Sequence, residues 1–292
     1  MSQPKRTIRF VAKEDSKTYY GEPVQSGDIG LLYHAKSLLT AHVLTSSPIV
    51  PGCRVTSTLR TVERLLAPLD RNEIKTIRGM GAQYGKKGAK KPEIEVPVLF
   101  YKPTTAICGP EDPIIIPESA RDANNDYEVE LCAVLGKEAL NVSVEDALSY
   151  VGWYCTSNDV SSRTNCAKGV QWGFGKSYDS WCPIGPCLVS PSQVPDPQNL
   201  TIKTTVNGIT RQLNNTSEMV LSLAELISRM SKGTTMEVGS IILTGSCLPL
   251  NRWSDPDPWL KHGDDVRVEV EGLGTLINPV VEEGGPRVKA KL

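Results

Sequence analysis

The sequence predicts a β-rich fold of the mixed α/β class. Three observations predict it: numerous short runs rich in Val, Ile, Thr and Tyr, helical periodicity in only a few segments, and no regular alternation of strand with helix. A doubly wound parallel sheet would require that alternation. The chain has 292 residues, 39% of them hydrophobic and 22% charged, which is the balance of a folded protein with its own core.

Taken in order, the chain opens with a strand over 7–11, a second strand near 29–33 and a helix over 55–66. This reads as a small cap unit of residues 1–72. It ends where Pro68 and a charged turn change the pattern to short β runs punctuated by Pro and Gly. Residues 73–292 then form the main domain. Its strands are read from EVPVLFYK, PIIIP, YEVELCAVLG, YVGWYCTSND, GPCLVSP, LTIKTTVNG, SIILTG and DDVRVEVEGLGTLIN. Two helices are expected in this part. One covers 143–150, where SVEDAL offers a cap and acids in the first turn; the other covers 223–231, apolar at i, i+3 and i+4.

Thirty-two basic and 33 acidic residues leave a net charge of −1. No global field recruits nucleic acid or an anionic membrane, and no run of about 18 apolar residues offers a membrane span. Eight cysteines occur without a C-x-x-C pair, so reduced, buried thiols are expected. The first residues lack an apolar signal core, which predicts a cytoplasmic chain. The final Ala290-Lys291-Leu292 resembles a peroxisomal address.

The segment Asp126-Tyr127-Glu128-Val129-Glu130-Leu131 carries the chemistry. Residues two apart on a strand share a face, so Glu128 and Glu130 sit side by side. A solvated polar face would tolerate this. The apolar LCAVLG that follows favours burial instead, where carboxylates require a cation or a proton. Asp159, just after the strand YVGWYCTSN, completes an all-oxygen trio suited to Mg²⁺ or Mn²⁺, and also to Ca²⁺. The histidines, His34, His42 and His262, stand apart from it, which disfavours a histidine-based centre.

Other motifs divide. GMGAQYG at 79–85 has the wrong glycine spacing for a dinucleotide fingerprint, and KKGAKKPE after it supplies no apolar helix face. Its lysines make either a solvated loop or a lid over an anionic substrate. Lys176, among glycines and aromatics in WGFGKSYDSW, reads as a surface lysine or as an ammonium lining a cleft. Ser246 and Cys247 lack a recognisable histidine partner, which disfavours a serine or cysteine hydrolase.

With these residues in view, the chain resembles the fumarylacetoacetate hydrolase family from about residue 73 to 280. The stretches that carry the resemblance are YKPTTAICGPEDPIIIP, DYEVELCAVLGK, YVGWYCTSNDVSSR, QWGFGKSYDSWCPIGPCLV, DPQNLTIKTTVNG, IILTG and HGDDVRVEVEGLGTLIN. GKSYDSWCPIGP and VPDPQNL are most similar to the branch that includes oxaloacetate tautomerases. The resemblance implies a β-roll that dimerises and a metal trio at Glu128, Glu130 and Asp159. It also implies an active-site lysine at Lys176, with Arg163 in the D-x-S-x-R turn, Lys102 before the first GP, and Thr244 opening a substrate-facing T-G-T-P segment. Where the family has a His and a Glu that activate water, this chain has Lys87 and Lys90. T-G-T-P-x-G-V-G has become Thr244-Gly245-Ser246-Cys247-Leu248-Pro249-Leu250-Asn251.

The resulting expectation is a divalent-metal enzyme that stabilises the enolate of a 2-oxo acid or 1,3-dicarbonyl, by tautomerisation, isomerisation or decarboxylation. Lys176, Arg163, Lys87 and Thr244 are the expected catalytic residues; Tyr84, Lys102, Lys90 and Ser246 are expected at the substrate. An acylpyruvate-type C–C hydrolase and a non-catalytic metal-binding interaction protein are the alternatives.

Overall fold

The computed structural model describes residues 2–85, 91, 94, 96–121, 123–250 and 258–285. In its N-terminal part are β1 (Arg6–Ala12), β2 (Thr18–Pro23), α1 (Ile29–His34), β3 (Thr40–Leu44) and β4 (Val55–Leu66). The main part continues with β5 (Ile77–Gly81), β6 (Val98–Lys102), β7 (Ile107–Cys108), β8 (Ile114–Ile116), β9 (Asn125–Asp126), β10 (Val129–Leu135), β11 (Val151–Asn158) and β12 (Ser161–Ser162). After these come α2 (Arg163–Lys168), β13 (Cys182–Val189), β14 (Thr201–Val206), β15 (Ile209–Asn215), α3 (Leu223–Met230), β16 (Ile241–Leu243), β17 (Asp265–Val270) and β18 (Gly274–Glu282).

The β-rich expectation holds, with three local corrections. Residues 29–33 form α1 rather than a strand. Asp28 caps it, accepting from the backbone N–H groups of Gly30 and Leu31. Gly30 is required there, because a Cβ would lie 1.8 Å from the carbonyl oxygen of Thr275. Residues 55–66 form the twelve-residue strand β4, not a helix. Its β-branched residues favour the extended chain, and shifts of register against β1 and β3 interrupt the period-two pattern and mimic a helical one. The expected helix over 143–150 shrinks to one 3₁₀ turn at Ala147–Tyr150, since Val151 already begins β11. The α3 helix is as expected, held by a capping box between Ser222 and Glu225.

An eleven-stranded sheet runs in the order β2-β3-β4-β1-β13-β11-β10-β16-β5-β6, with β7 beside β13. A five-stranded sheet, β15-β14-β17-β18-β8, lies against it. Every residue of β10 and β13 is buried. The N-terminal unit therefore extends the main sheet through β1, which pairs Arg6 with Val189 and Thr7 with Leu188. All eight cysteines are free and buried. Among the described residues no helix is long and apolar enough to cross a membrane.

Candidate metal centre

Two neighbouring interior strands of the large sheet build the site at their shared end. β10 and β11 are antiparallel, with Val129 opposite Asn158 and Glu130 opposite Ser157. Glu128 immediately precedes β10 and Asp159 immediately follows β11, so the register brings their carboxylates together. Two bonds lock the junction: the Asp159 N–H donates to the Glu128 carbonyl at 2.9 Å, and the Glu128 N–H donates to Asn158 Oδ1 at 2.9 Å. Oxygens of Glu128, Glu130 and Asp159 lie within 4.8 Å of one another. The solvated-face reading of this segment is thereby overturned: Asp159 and Glu130 are buried, and the Glu128 side chain is 14% exposed.

Lys176 reaches the trio from the loop after a 3₁₀ turn at Trp172–Gly175. Its Nζ donates to Glu128 Oε2 at 2.6 Å, to Asp159 Oδ2 at 2.5 Å and to Ser161 Oγ at 2.6 Å. It also lies 4.4 Å from the centre of the Phe100 ring. The lysine is thus a buried cation and not a surface one. Arg163, the first residue of α2, binds Asp126 through Nε at 2.7 Å and reaches Glu128 Oε1 with Nη2. Lys102 Nζ lies 2.7 Å from Asp159 Oδ1 and donates to the carbonyls of Val160, Trp181 and Lys176. Lys102 has no exposed side-chain surface, so it meets Asp159 as a buried cation.

The charges act on each other strongly. Burial pushes the Glu128 carboxyl upward, but Arg163 and Lys176 overcome it and hold the group well below the usual carboxylate range. Burial, followed by repulsion from Asp159 and Glu128, pushes Glu130 well above that range. Burial opposes the Lys176 charge, yet Asp159 and Glu128 raise its affinity for the proton above the ordinary lysine value. Four carboxylates, Asp126 included, therefore face three cationic side chains, and Glu130 is the acid left wanting a proton or a metal. An all-oxygen donor set at this spacing fits a hard divalent cation held by Glu128, Glu130 and Asp159.

The segment after β16 forms one wall. Thr244 donates its hydroxyl to the Leu131 carbonyl at 2.9 Å, and Ser246 donates its own to the Val129 carbonyl at 2.7 Å. Both hydroxyl hydrogens are spent on β10. Gly245 N–H donates to Glu130 Oε2 at 2.7 Å; the residue has φ +90°, and a Cβ would come within 2.6 Å of the Gln83 side chain. Tyr84 is buried, and its hydroxyl has no hydrogen-bond partner among the described residues. Burial, with Cys247 and Glu130 nearby, raises its pKa well above the usual phenol value, so it stays protonated. Lys87 and Lys90 lie outside the described residues, as does Ala290-Lys291-Leu292. Lys91, described, is tied to the carbonyls of Ser217 and Met219 at 2.8 and 2.7 Å.

Sequence reasoning missed the role of Asp126. The acids at 126, 128 and 130 recur at every second residue, a signal that could have drawn it in. It also missed Phe100 and Gln212, which carry no such signal. Elsewhere, a groove of about 580 Å³ lined by Leu31, Lys203, Thr205, Arg267 and Glu269 contains none of the trio, and Arg267 is already paired with Asp265 at 2.7 Å.

Residues 70–281 match the family described as fumarylacetoacetate (FAA) hydrolase C-terminal. A Bos taurus protein named "Oxaloacetate tautomerase FAHD2A, mitochondrial" is 36% identical over 247 residues, covering 84% of this chain and 76% of its own. "Caffeoylpyruvate hydrolase" of Neonothopanus nambi is 35% identical over 288 residues, covering 95% of this chain and 93% of its own. Among solved structures, 2-hydroxyhepta-2,4-diene-1,7-dioate isomerase from Mycobacterium marinum superimposes with a TM-score of 0.78 at 30% identity, covering 96% of this chain and 99% of that one. In sequence over most of its length, and in fold over nearly all of it, the chain belongs to the fumarylacetoacetate hydrolase family.

Proposed function

We propose that the protein is a Mg²⁺- or Mn²⁺-dependent enzyme that stabilises the enolate of a 2-oxo acid or 1,3-dicarbonyl, and that its reaction is tautomerisation, isomerisation or decarboxylation. The observation that carries this reading is the trio of Glu128, Glu130 and Asp159 within 4.8 Å, with Lys176 bonded to two of its members. A divalent cation held there would polarise a substrate carbonyl. Lys176 would supply positive charge where the enolate oxygen develops its own. Tyr84, protonated and with no hydroxyl partner among the described residues, would donate to a substrate oxygen. Arg163 would hold Glu128 in place from the open side, and Lys102 would do the same for Asp159. Thr244 and Ser246 would shape the wall, while Lys87 and Lys90 would attract the substrate's carboxylates. Residues 1–72 would serve as a cap beside the catalytic segment 73–292, in a homodimer.

The relative named for caffeoylpyruvate hydrolysis aligns over nearly the whole of both chains, which favours acylpyruvate C–C hydrolysis as a second reading. Turnover of oxaloacetate and of an acylpyruvate, assayed with Mg²⁺ and with EDTA, separates them. Metal-dependent decay of the enol absorbance without a carboxylic acid product is the expected result. Release of pyruvate plus a carboxylic acid would establish the hydrolase, and silence across a dicarbonyl panel would leave a binding protein.

A further inference from the structure

Gln212 lies on β15, opposite Thr204 of β14, and its side chain is completely buried. Its Oε1 accepts from the Val129 N–H at 3.1 Å and from Thr204 Oγ1 at 2.7 Å. Its Nε2 donates to Ser246 Oγ at 3.0 Å and to the Cys247 carbonyl at 2.5 Å. The amide cannot be turned over, because a backbone N–H only donates and a carbonyl only accepts.

Val129 stands between Glu128 and Glu130 in the chain. Gln212 holds its N–H, and Ser246, itself held by Gln212, donates to its carbonyl at 2.7 Å. The peptide groups on both sides of Val129 are therefore fixed through one amide, and these are the groups that aim Glu128 and Glu130. Gly245, next to Ser246, binds Glu130 Oε2 at 2.7 Å, so the same amide also steadies the N–H that orients this carboxylate. We infer that Gln212 is a positioning residue for the metal centre: through Val129, Ser246 and Cys247 it sets the direction of two of the three ligands without touching the cation. This role rests on the trio being a cation site.

Outer partners that orient ligands typically change metal affinity by about 10- to 100-fold when removed. The test titrates Mn²⁺ alone into the full chain by calorimetry, alongside thermal unfolding of the metal-free protein. Gln212→Leu keeps the side chain's size and is expected to weaken Mn²⁺ binding by about tenfold or more. Should that variant fail to fold, Ser246→Ala removes one arm of the same strap and is expected to weaken binding by a smaller factor. Asn278→Ala is the control for general destabilisation. It removes bonds to the carbonyls of Gly109 and Asp112, neither of them a member of the trio or of the strap, and is expected to lower the melting temperature with Mn²⁺ affinity unchanged. A folded Gln212→Leu or Ser246→Ala protein with the parent's Mn²⁺ affinity would overturn the inference. So would an Asn278→Ala loss equal to that of the strap variants. Failure of the unaltered protein to bind Mn²⁺ would overturn the cation site itself, and this role with it.

Discussion

Lys102 holds Asp159 from inside the protein, its Nζ 2.7 Å from Oδ1, with neither side chain exposed. A pair so placed has no water to replace a lost partner. Replacing Lys102 with Met would leave the Asp159 carboxylate with one cation, Lys176, and three backbone carbonyls without their donor. Breaking a buried pair in this way costs about 3–5 kcal/mol. The expected outcome is that drop in unfolding free energy by urea denaturation, and an unchanged midpoint would show that Lys102 contributes no stability.

Lys176 should separate catalysis from metal binding. It occupies Glu128 Oε2 and Asp159 Oδ2, so Lys176→Met removes a cation that competes for ligand oxygens. Mn²⁺ affinity is expected to be at least that of the parent, while kcat falls on the order of 10²-fold. Equal losses in both would make the lysine a structural element of the trio.

Cation binding should expel a proton. Glu130 has its pKa raised in the folded, metal-free protein by burial and by Asp159 and Glu128, so near and above the ordinary carboxylate range it still holds a proton that the unfolded chain has lost. Its contribution to stability is present below about 4.5 and is lost as pH rises through the folded value. A bound cation needs the carboxylate, so Mn²⁺ affinity is expected to rise with pH across that window. Calorimetry in buffers of different ionisation enthalpy should show protons released on binding, and a heat independent of buffer would count against the assignment.

Asp126 and Arg163 supply a prediction at the open side. Arg163 divides its guanidinium between Asp126 and Glu128. In Asp126→Asn the arginine loses one of its two charged anchors, and its remaining one, Glu128, is one of the three proposed cation-holding carboxylates. Competition for Glu128 strengthens, so Mn²⁺ binding is expected to weaken by roughly tenfold, the scale for an altered outer partner. An unchanged Kd by calorimetry would show that Asp126 only supports the fold.

On the proposed role of Lys87 in attracting a substrate carboxylate, Lys87→Ala is expected mainly to raise KM for substrates with a second carboxylate, leaving kcat nearly constant, because the lysine would take no part in bond making. Steady-state kinetics with mono- and dicarboxylic oxo acids would check this. Collapse of kcat with KM constant would make Lys87 a base.

The clustering of Glu128, Glu130 and Asp159 was legible because its signal is local: acids at every second residue before an apolar strand, and another at the end of the next strand. Lys176 stood out through its neighbours. Arg163, Lys102 and Thr244 were named through the family resemblance, whereas Gln212 and Phe100 were not legible, since their places depend on pairing between distant strands. Gln212 lies 83 residues from the Val129 that it holds, and nothing at either position announces the other. The misread segments failed for a related reason. The bulged pairing of β4 disguised a strand as a helix, and only its two partners, β1 and β3, reveal the extended chain. Residues 29–33, apolar enough for a strand, coil because Asp28 caps them and Gly30 fits against Thr275.

The pairing of β1 with β13 bears on how far the chain can be trimmed. Cutting at residue 72 would strip β13 of its neighbour at Arg6 and Thr7 and uncover the surface that α1 covers near Thr275. The fragment left behind would carry the whole family-matched segment except its first few residues, yet present a raw strand margin, the feature through which sheets join edge to edge in aggregates. Insolubility of such a fragment would then report a broken seam and not a defective active site.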